Sequence, residues 1–175
     1  MPFASFELFR GQTQLHEPIT ITPKGTIHSP FAGLEGMPIQ PAGAREAVGT
    51  VVVDPAYAAG LQDLDGFSHI YLLYHFHRAS PPRLKVVPFL DHREHGIFAT
   101  RAPARPNPIG VSVVELLEVR GNRLTVRGID VLDGTPLLDI KPYVEDFDRA
   151  EKSRSGWLAS TPEEIARRRS DNRFT

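Results

Sequence analysis

The clearest alternation of apolar and polar positions in the chain runs from residue 67 to residue 77. Ile70, Leu72, Tyr74 and Phe76 fall on one face of an extended segment. His69, Tyr71, Leu73, His75 and His77 fall on the other, because successive strand side chains point to opposite sides. The pattern predicts a strand with an apolar face on a core and a histidine-bearing face toward a cleft or an interface. Shorter β-branched and aromatic runs predict a first strand over 19–28, a buried strand over 50–53 and another over 85–87. Residues 111–119 and 123–129 read as a hairpin about Gly121-Asn122, a tight-turn pair. Asp133-Gly134 marks a second tight turn, and 55–61 reads as one or two helical turns stopped near Gly60.

Sixteen prolines and fourteen glycines are spread along the 175 residues, which leaves little room for long helices. The expected fold is mainly β, a small β-barrel with short helices. One helix has a clear start: Thr161-Pro162-Glu163-Glu164 supplies an N-cap, a proline at N1 and a glutamate at N3. It should run over 162–170, with arginines in its last turns where they suit the helix dipole. Residues 144–160, with charges, serines and the lone Trp157, read as a surface linker. The chain thus divides into a barrel domain over 1–147 and a C-terminal linker and short helix over 148–175.

Composition narrows the chemistry. The absence of cysteine excludes disulfides, thiolate metal sites and cysteine nucleophiles. No N-terminal run combines a basic start with a long apolar stretch, so no signal peptide is expected. No segment approaches a membrane span. The expected location is the cytoplasm. A net charge of −1 and a pI near 6.7 lack the overall basic balance of a strong nucleic-acid binder. A nucleic-acid partner would need a local patch, for which Arg78, Arg83, Lys85, Arg101, Arg105 and Arg167 to Arg169 are candidates.

Residues 96–112 are the most distinctive stretch. Arg101 and Arg105 lie four apart in a segment stiffened by Pro103, Pro106 and Pro108 and closed by Ile109-Gly110. Such a loop holds two guanidinium forks in fixed places, suited to carboxylate or phosphate. Downstream, Asp139, Lys141 and Tyr143 fall on one face of an extended segment. They make either an acid–base set or an ion pair with the phenol packed over it. Seven histidines raise a metal site; His75 and His77 would stand roughly 6.6 Å apart on one strand face. Their spacing, with His92 and His95, matches no closed zinc pattern, and no metal is expected. No Gly-x-Gly-x-x-Gly follows a strand and no P-loop is present.

The arginine–proline loop, Phe67-Ser68-His69-Ile70, and the block from Asp133-Gly134-Thr135-Pro136 to Asp139-Ile140-Lys141-Pro142-Tyr143 occur in a set order. With Ile27-His28-Ser29-Pro30-Phe31 and Pro38-Ile39-Gln40-Pro41, they resemble the TsaA/TrmO family over roughly residues 20–147. Members are S-adenosylmethionine-dependent methyltransferases that act on tRNA. The resemblance implies S-adenosyl-L-methionine as cofactor and threonylcarbamoyladenosine, beside the anticodon of tRNA, as substrate. It implies a homodimer with the cofactor near the subunit interface. It places Gln40, Pro41, Ala42, His77, Arg78, Arg101 and Val113 at the cofactor, and the turn Asp133, Gly134, Thr135 and Pro136 at the adenosine. Asp139, Lys141 and Tyr143 become the catalytic candidates. Arg105, with Asn107 and His69, becomes a candidate for the substrate side, Arg105 clamping the threonyl carboxylate or a phosphate. Longer bacterial members carry a further C-terminal domain, whereas only 144–175 follows the last motif here. That departure keeps two rivals in play: a methyltransferase of the same fold acting on a small molecule, and a non-enzymatic sensor of S-adenosylmethionine or RNA.

Overall fold

The computed structural model describes residues 17–174. The first sixteen residues of the 1–147 unit, where a signal peptide would lie, and Thr175 are outside the described residues. In chain order the strands are β1 (Gly25–His28), β2 (Val48–Val53), β3 (His69–His75), β4 (Lys85–Val86), β5 (His95–Gly96), β6 (Ile109–Arg120), β7 (Arg123–Arg127) and β8 (Thr135–Pro142). Two short α-helices follow, α1 (Glu145–Asp148) and α2 (Pro162–Arg167). Among the described residues, six strands close into a barrel in the order β1-β2-β7-β6-β3-β8, with β8 returning to β1. Every pairing is antiparallel. The mainly β barrel expected from the sequence is the observed architecture.

Alternation fills the barrel. Ile27, Val51, Ile70, Leu72, Val114, Leu124, Val126, Ile129 and Leu137 are buried in one cluster. On β3 the buried residues are Ile70, Leu72 and Tyr74, and the histidines point outward. The strand stops at His75, two residues early. Phe76 N donates to Pro108 O at 2.7 Å and His77 N turns back to His75 O. Pro106 and Pro108 have no N–H to extend the ladder, so β6 starts at Ile109. The first strand is likewise shorter than 19–28. Pro23 interrupts its early part, and Ile19 and Ile21 are exposed. The β6–β7 hairpin turns at Gly121, whose φ of +58° suits glycine. Residues 55–61 form 3-10 turns (Pro55–Leu61) capped by Asp54, whose Oδ1 accepts from Ala56 N at 3.0 Å.

A second, smaller core lies beside the barrel. Val86, Ile97, Ala102, Ala104 and Phe174 are buried together, with Phe89 set edge-on to Phe174 at 5.1 Å. Phe174 is therefore stapled into the segment between β4 and β6. Arg173 holds Asp171 at 2.7 Å and Pro88 O at 2.8 Å. Ser170 bonds Met37 N and Leu34 O. The expected capping box is present on α2, but the helix ends at Arg167. Arg168 is already extended, and Arg169 pairs with Pro38. Residues 144–160 are more than a linker on the surface. Their Trp157 stacks on His95 at 4.3 Å and donates to Ala99 O at 2.8 Å.

Candidate functional site: a cavity at the rim of the barrel

A cavity of about 800 Å3 opens where the barrel meets the second core. One wall is the segment 37–42, with Gln40 leading into a 3-10 turn over Pro41–Gly43. The end of β3 and the residues after it supply Tyr74, Phe76, His77 and Arg78, and the loop before β6 supplies Phe98 to Pro103. The approach to β8 contributes Asp130, Val131, Leu132 and Thr135. The C-terminal segment closes the remaining side with Trp157, Leu158 and Phe174. The walls are chiefly apolar, with few polar groups converging on the space, the usual composition of a small-molecule site.

Arg101 is exposed on this cavity and donates through Nη1 to Gln40 Oε1 at a long 3.5 Å. Among the described residues no ion pair involves Arg101, Arg78 or Arg105. Arg101 is thus not a loop arginine spent on a neighbouring carboxylate. Arg105 does not line the cavity; it is half-buried, with Nη1 3.4 Å from Thr100 O. The two forks do not converge. Asn107 is exposed in the same loop, and its carbonyl accepts from Ile109 N at 2.7 Å.

The turn at 133–136 differs from expectation. Its N–H groups are not open to a ligand. Asp133 N donates to Phe31 O, Gly134 N to Ile27 O and Thr135 N to Leu132 O. The Asp133 carboxylate accepts from Ser29 N at 3.1 Å and lies 3.2 Å from His28 Nδ1, bonds that hold it below the usual carboxylate range, with Ser29 the larger cause. Of the four residues only Thr135 reaches the cavity; Asp133, Gly134 and Pro136 do not. Closing the β1–β8 edge consumes them. Val113 pairs with Tyr71 on the outer side of the barrel, and Val111, two residues earlier on the same side of β6, lines the cavity.

Asp139, Lys141 and Tyr143 do share a face, and it is the outer one. Lys141 Nζ is 2.8 Å from Asp139 Oδ2. Tyr143 packs against Tyr71 and His69, with ring centroids 5.7 and 6.3 Å away. None of the three, and not His69, lines the cavity. His75 and His77 bring no third ligand with them; among the described residues no group of three His, Asp or Glu side chains could hold a metal. His77, on the cavity, is held below the usual histidine range by desolvation first and then by Arg78 and His75.

The sequence reading missed Asp130, Ser112 and the C-terminal wall. Asp130 lines the cavity, and its Oδ1 accepts from Ser112 Oγ at 2.6 Å. Burial pushes its carboxyl up to about 6. Ser112 is in turn 3.0 Å from Tyr74 Oη. The signals were an acid inside the apolar run Ile129-Asp130-Val131-Leu132 and a hydroxyl on the inward face of β6.

Residues 26–149 match the family model described as tRNA-methyltransferase O N-terminal domain. The chain belongs to the TrmO family. It is 53% identical over 156 residues to a probable S-adenosyl-L-methionine-binding protein of Pyrococcus abyssi, covering 89% of this chain and 85% of that protein. It is 44% identical over 153 residues to a putative S-adenosylmethionine-dependent methyltransferase of Pseudomonas aeruginosa, covering 84% of this chain and 66% of that one. The mouse tRNA (adenine(37)-N6)-methyltransferase is 35% identical over 135 residues, 72% of this chain and 31% of that protein. Among solved structures, TrmO from Pseudomonas aeruginosa superposes with a TM-score of 0.68 at 41% identity, over 80% of this chain and 62% of that one. The chain thus spans less than two thirds of that solved TrmO. The TrmO relatives named here are S-adenosylmethionine-binding proteins and methyltransferases.

Proposed function

We propose that the protein is an S-adenosylmethionine-dependent methyltransferase that N-methylates threonylcarbamoyladenosine next to the anticodon of tRNA. The observation that carries the reading is the rim cavity, with the unpaired Arg101 at its mouth, on a TrmO-family barrel. The residues fit the cofactor. Apolar walls suit an adenine ring, Gln40 and the 37–42 segment offer polar edges, and the Arg101 fork suits the amino-acid carboxylate. His77 and Arg78 flank the same space. When bound, S-adenosylmethionine supplies an electrophilic methyl group, so the protein's work is to exclude water and align the acceptor nitrogen.

Arg105, outside the cavity and close to Asn107, takes the substrate side in this reading and clamps the threonyl carboxylate or an anticodon-loop phosphate. The carbamoyl group acidifies the target N–H, so a weak base suffices. Asp139, Lys141 and Tyr143 are the proposed acid–base set. Their place on the outer face requires a second copy to bring them to a cofactor, which favours a homodimer. Exposed Ile109, Val111 and Leu117 on β6 give that face apolar surface. Among the described residues no helix is long and apolar enough to cross a membrane, and the proposed location is the cytoplasm, with tRNA.

The test is mass spectrometry of tRNA nucleosides from cells with and without the gene. Loss of the methylated threonylcarbamoyl nucleoside on deletion supports the reading; an unchanged nucleoside profile removes it. The net charge of −1 favours a small-molecule methyltransferase as second reading, and an unchanged profile would promote it.

A further inference from the structure

Asp130 is a carboxylate without an ion-pair partner; the Arg101 charge favours its ionised form from a distance. It sits between the buried Ile129 and Val131, on the cavity wall. Among the described residues no ion pair includes it. Its side-chain partner is the Ser112 hydroxyl, which donates to Oδ1 at 2.6 Å. A serine hydroxyl has one proton, so Tyr74 Oη must donate to Ser112 Oγ at 3.0 Å. With Asp130 ionised, the order is Tyr74 to Ser112 to Asp130. Gly110 makes room for it, since a Cβ there would lie within about 2.5 Å of Tyr74 Cζ.

A chain of donors ending on a carboxylate favours the ionised form, and burial opposes it. Burial dominates, yet the carboxyl reaches only about 6, so at neutral pH the group is anionic. On the cavity wall such a charge acts on whatever enters, the more strongly the less water a bound ligand leaves around it. The other charged or titratable groups on the space are Arg101 from the loop before β6, His77 and Arg78 after β3, Tyr74 on β3, and Asp171 from the C-terminal segment.

We propose that Asp130 is the charge-matching residue of this site, whose carboxylate sets the cavity's preference for a cationic sulfonium ligand over the neutral thioether. The inference rests on the S-adenosylmethionine reading of the cavity. S-adenosylmethionine and S-adenosylhomocysteine share the adenosine, the amino group and the carboxylate; they differ by one methyl group and one positive charge on sulfur. In this reading Arg101 holds the amino-acid carboxylate that both ligands share, so it does not tell them apart. Once the methyl group has left, the attraction to Asp130 is gone, which favours release of the spent cofactor.

The experiment is calorimetry of both ligands with wild type, Asp130→Asn and Ser112→Ala between about pH 5 and pH 8. Asparagine keeps the shape and can still accept from Ser112. Wild type should prefer S-adenosylmethionine, the preference growing about tenfold as pH rises through the titration of Asp130 and levelling above it. Asp130→Asn should flatten that rise and leave S-adenosylhomocysteine affinity within about twofold of wild type. Ser112→Ala should move the rise to higher pH, because the carboxylate loses its donor. An Asp130→Asn variant that keeps the wild-type rise would assign it to His77 and overturn the proposal. So would equal loss of both ligands, the mark of a structural role, or a Ser112→Ala rise that does not move. Wild type that binds neither ligand would instead overturn the cofactor reading itself.

Discussion

Arg101 and Gln40 meet across the cavity mouth, 61 residues apart in sequence, with Nη1 and Oε1 at 3.5 Å. A contact that long to a neutral amide leaves the guanidinium most of its donor capacity. Arg101→Ala should therefore weaken S-adenosylmethionine binding by about 1.5–3 kcal/mol, the worth of a hydrogen bond to a charged group. Arg101→Lys should recover only part, because the planar fork is lost. Thermal stability of both variants should stay within about 0.5 kcal/mol of wild type, since no ion pair is broken. Calorimetry and a denaturant melt check both statements, and unchanged affinity in both variants would return Arg101 to a structural role.

Asp130 makes stability depend on pH in a direction opposite to a salt-bridged carboxylate. Its folded value of about 6 stands above the ordinary carboxylate value of 3.8. Between these values the native protein holds a proton that the unfolded chain has lost, so stability falls as pH rises through that window. Above it the whole cost is present. Asp130→Asn should then be more stable than wild type at neutral pH by roughly 2–3 kcal/mol, the difference vanishing toward the unfolded value. Urea melts at several pH values measure it, and a variant less stable than wild type at every pH would contradict it.

Gly110 and Tyr74 offer a packing test. An alanine at 110 would overlap the Tyr74 ring and also crowd Phe76 Cζ, 2.9 Å from the added carbon. Gly110→Ala should cost about 1–3 kcal/mol as overpacking and should blunt the pH-dependent ligand preference by moving the Tyr74 hydroxyl off Ser112. Gly96→Ala is the control. Nothing lies within 4 Å of a Cβ there, and its φ of −57° suits any residue, so its effect should be within about 0.5 kcal/mol.

The outer face of β3, β6 and β8 predicts assembly. Sedimentation should give a C2 dimer, the commonest symmetric assembly, rather than a 19.4 kDa monomer. Leu117→Lys on that face, exposed in the isolated chain, should shift the balance toward monomer and lower transfer. A wild-type monomer at micromolar concentration would contradict both the dimer and the catalytic role proposed for Asp139, Lys141 and Tyr143.

Much of the barrel was legible because a strand writes its environment into alternate positions. The buried face of β3, the β6–β7 hairpin and the α2 capping box all followed from local pattern. Strand ends were less so, since prolines at 23 and 108 cut ladders whose partners lie far away in sequence. Local pattern gives the Asp133-Gly134 turn but not where its N–H groups go, because their acceptors, Phe31 O and Ile27 O, are about a hundred residues upstream. Gln40, His77, Arg78 and Arg101 do line one cavity. Asp130 and the Trp157 wall stayed hidden for the same reason as the turn. An acid in an apolar run announces a cost, but only the fold shows that Ser112 offsets it and that a cavity lies beyond.

The most direct test of the account is methyl transfer in vitro, with labelled S-adenosylmethionine and tRNA prepared with and without the threonylcarbamoyl group. Label should enter only the threonylcarbamoylated tRNA. Arg105→Ala should cut that incorporation while leaving cofactor affinity close to wild type, because Arg105 stands outside the cavity that Arg101 borders. Equal labelling of the two tRNAs by wild type, or none of either, would contradict the assignment.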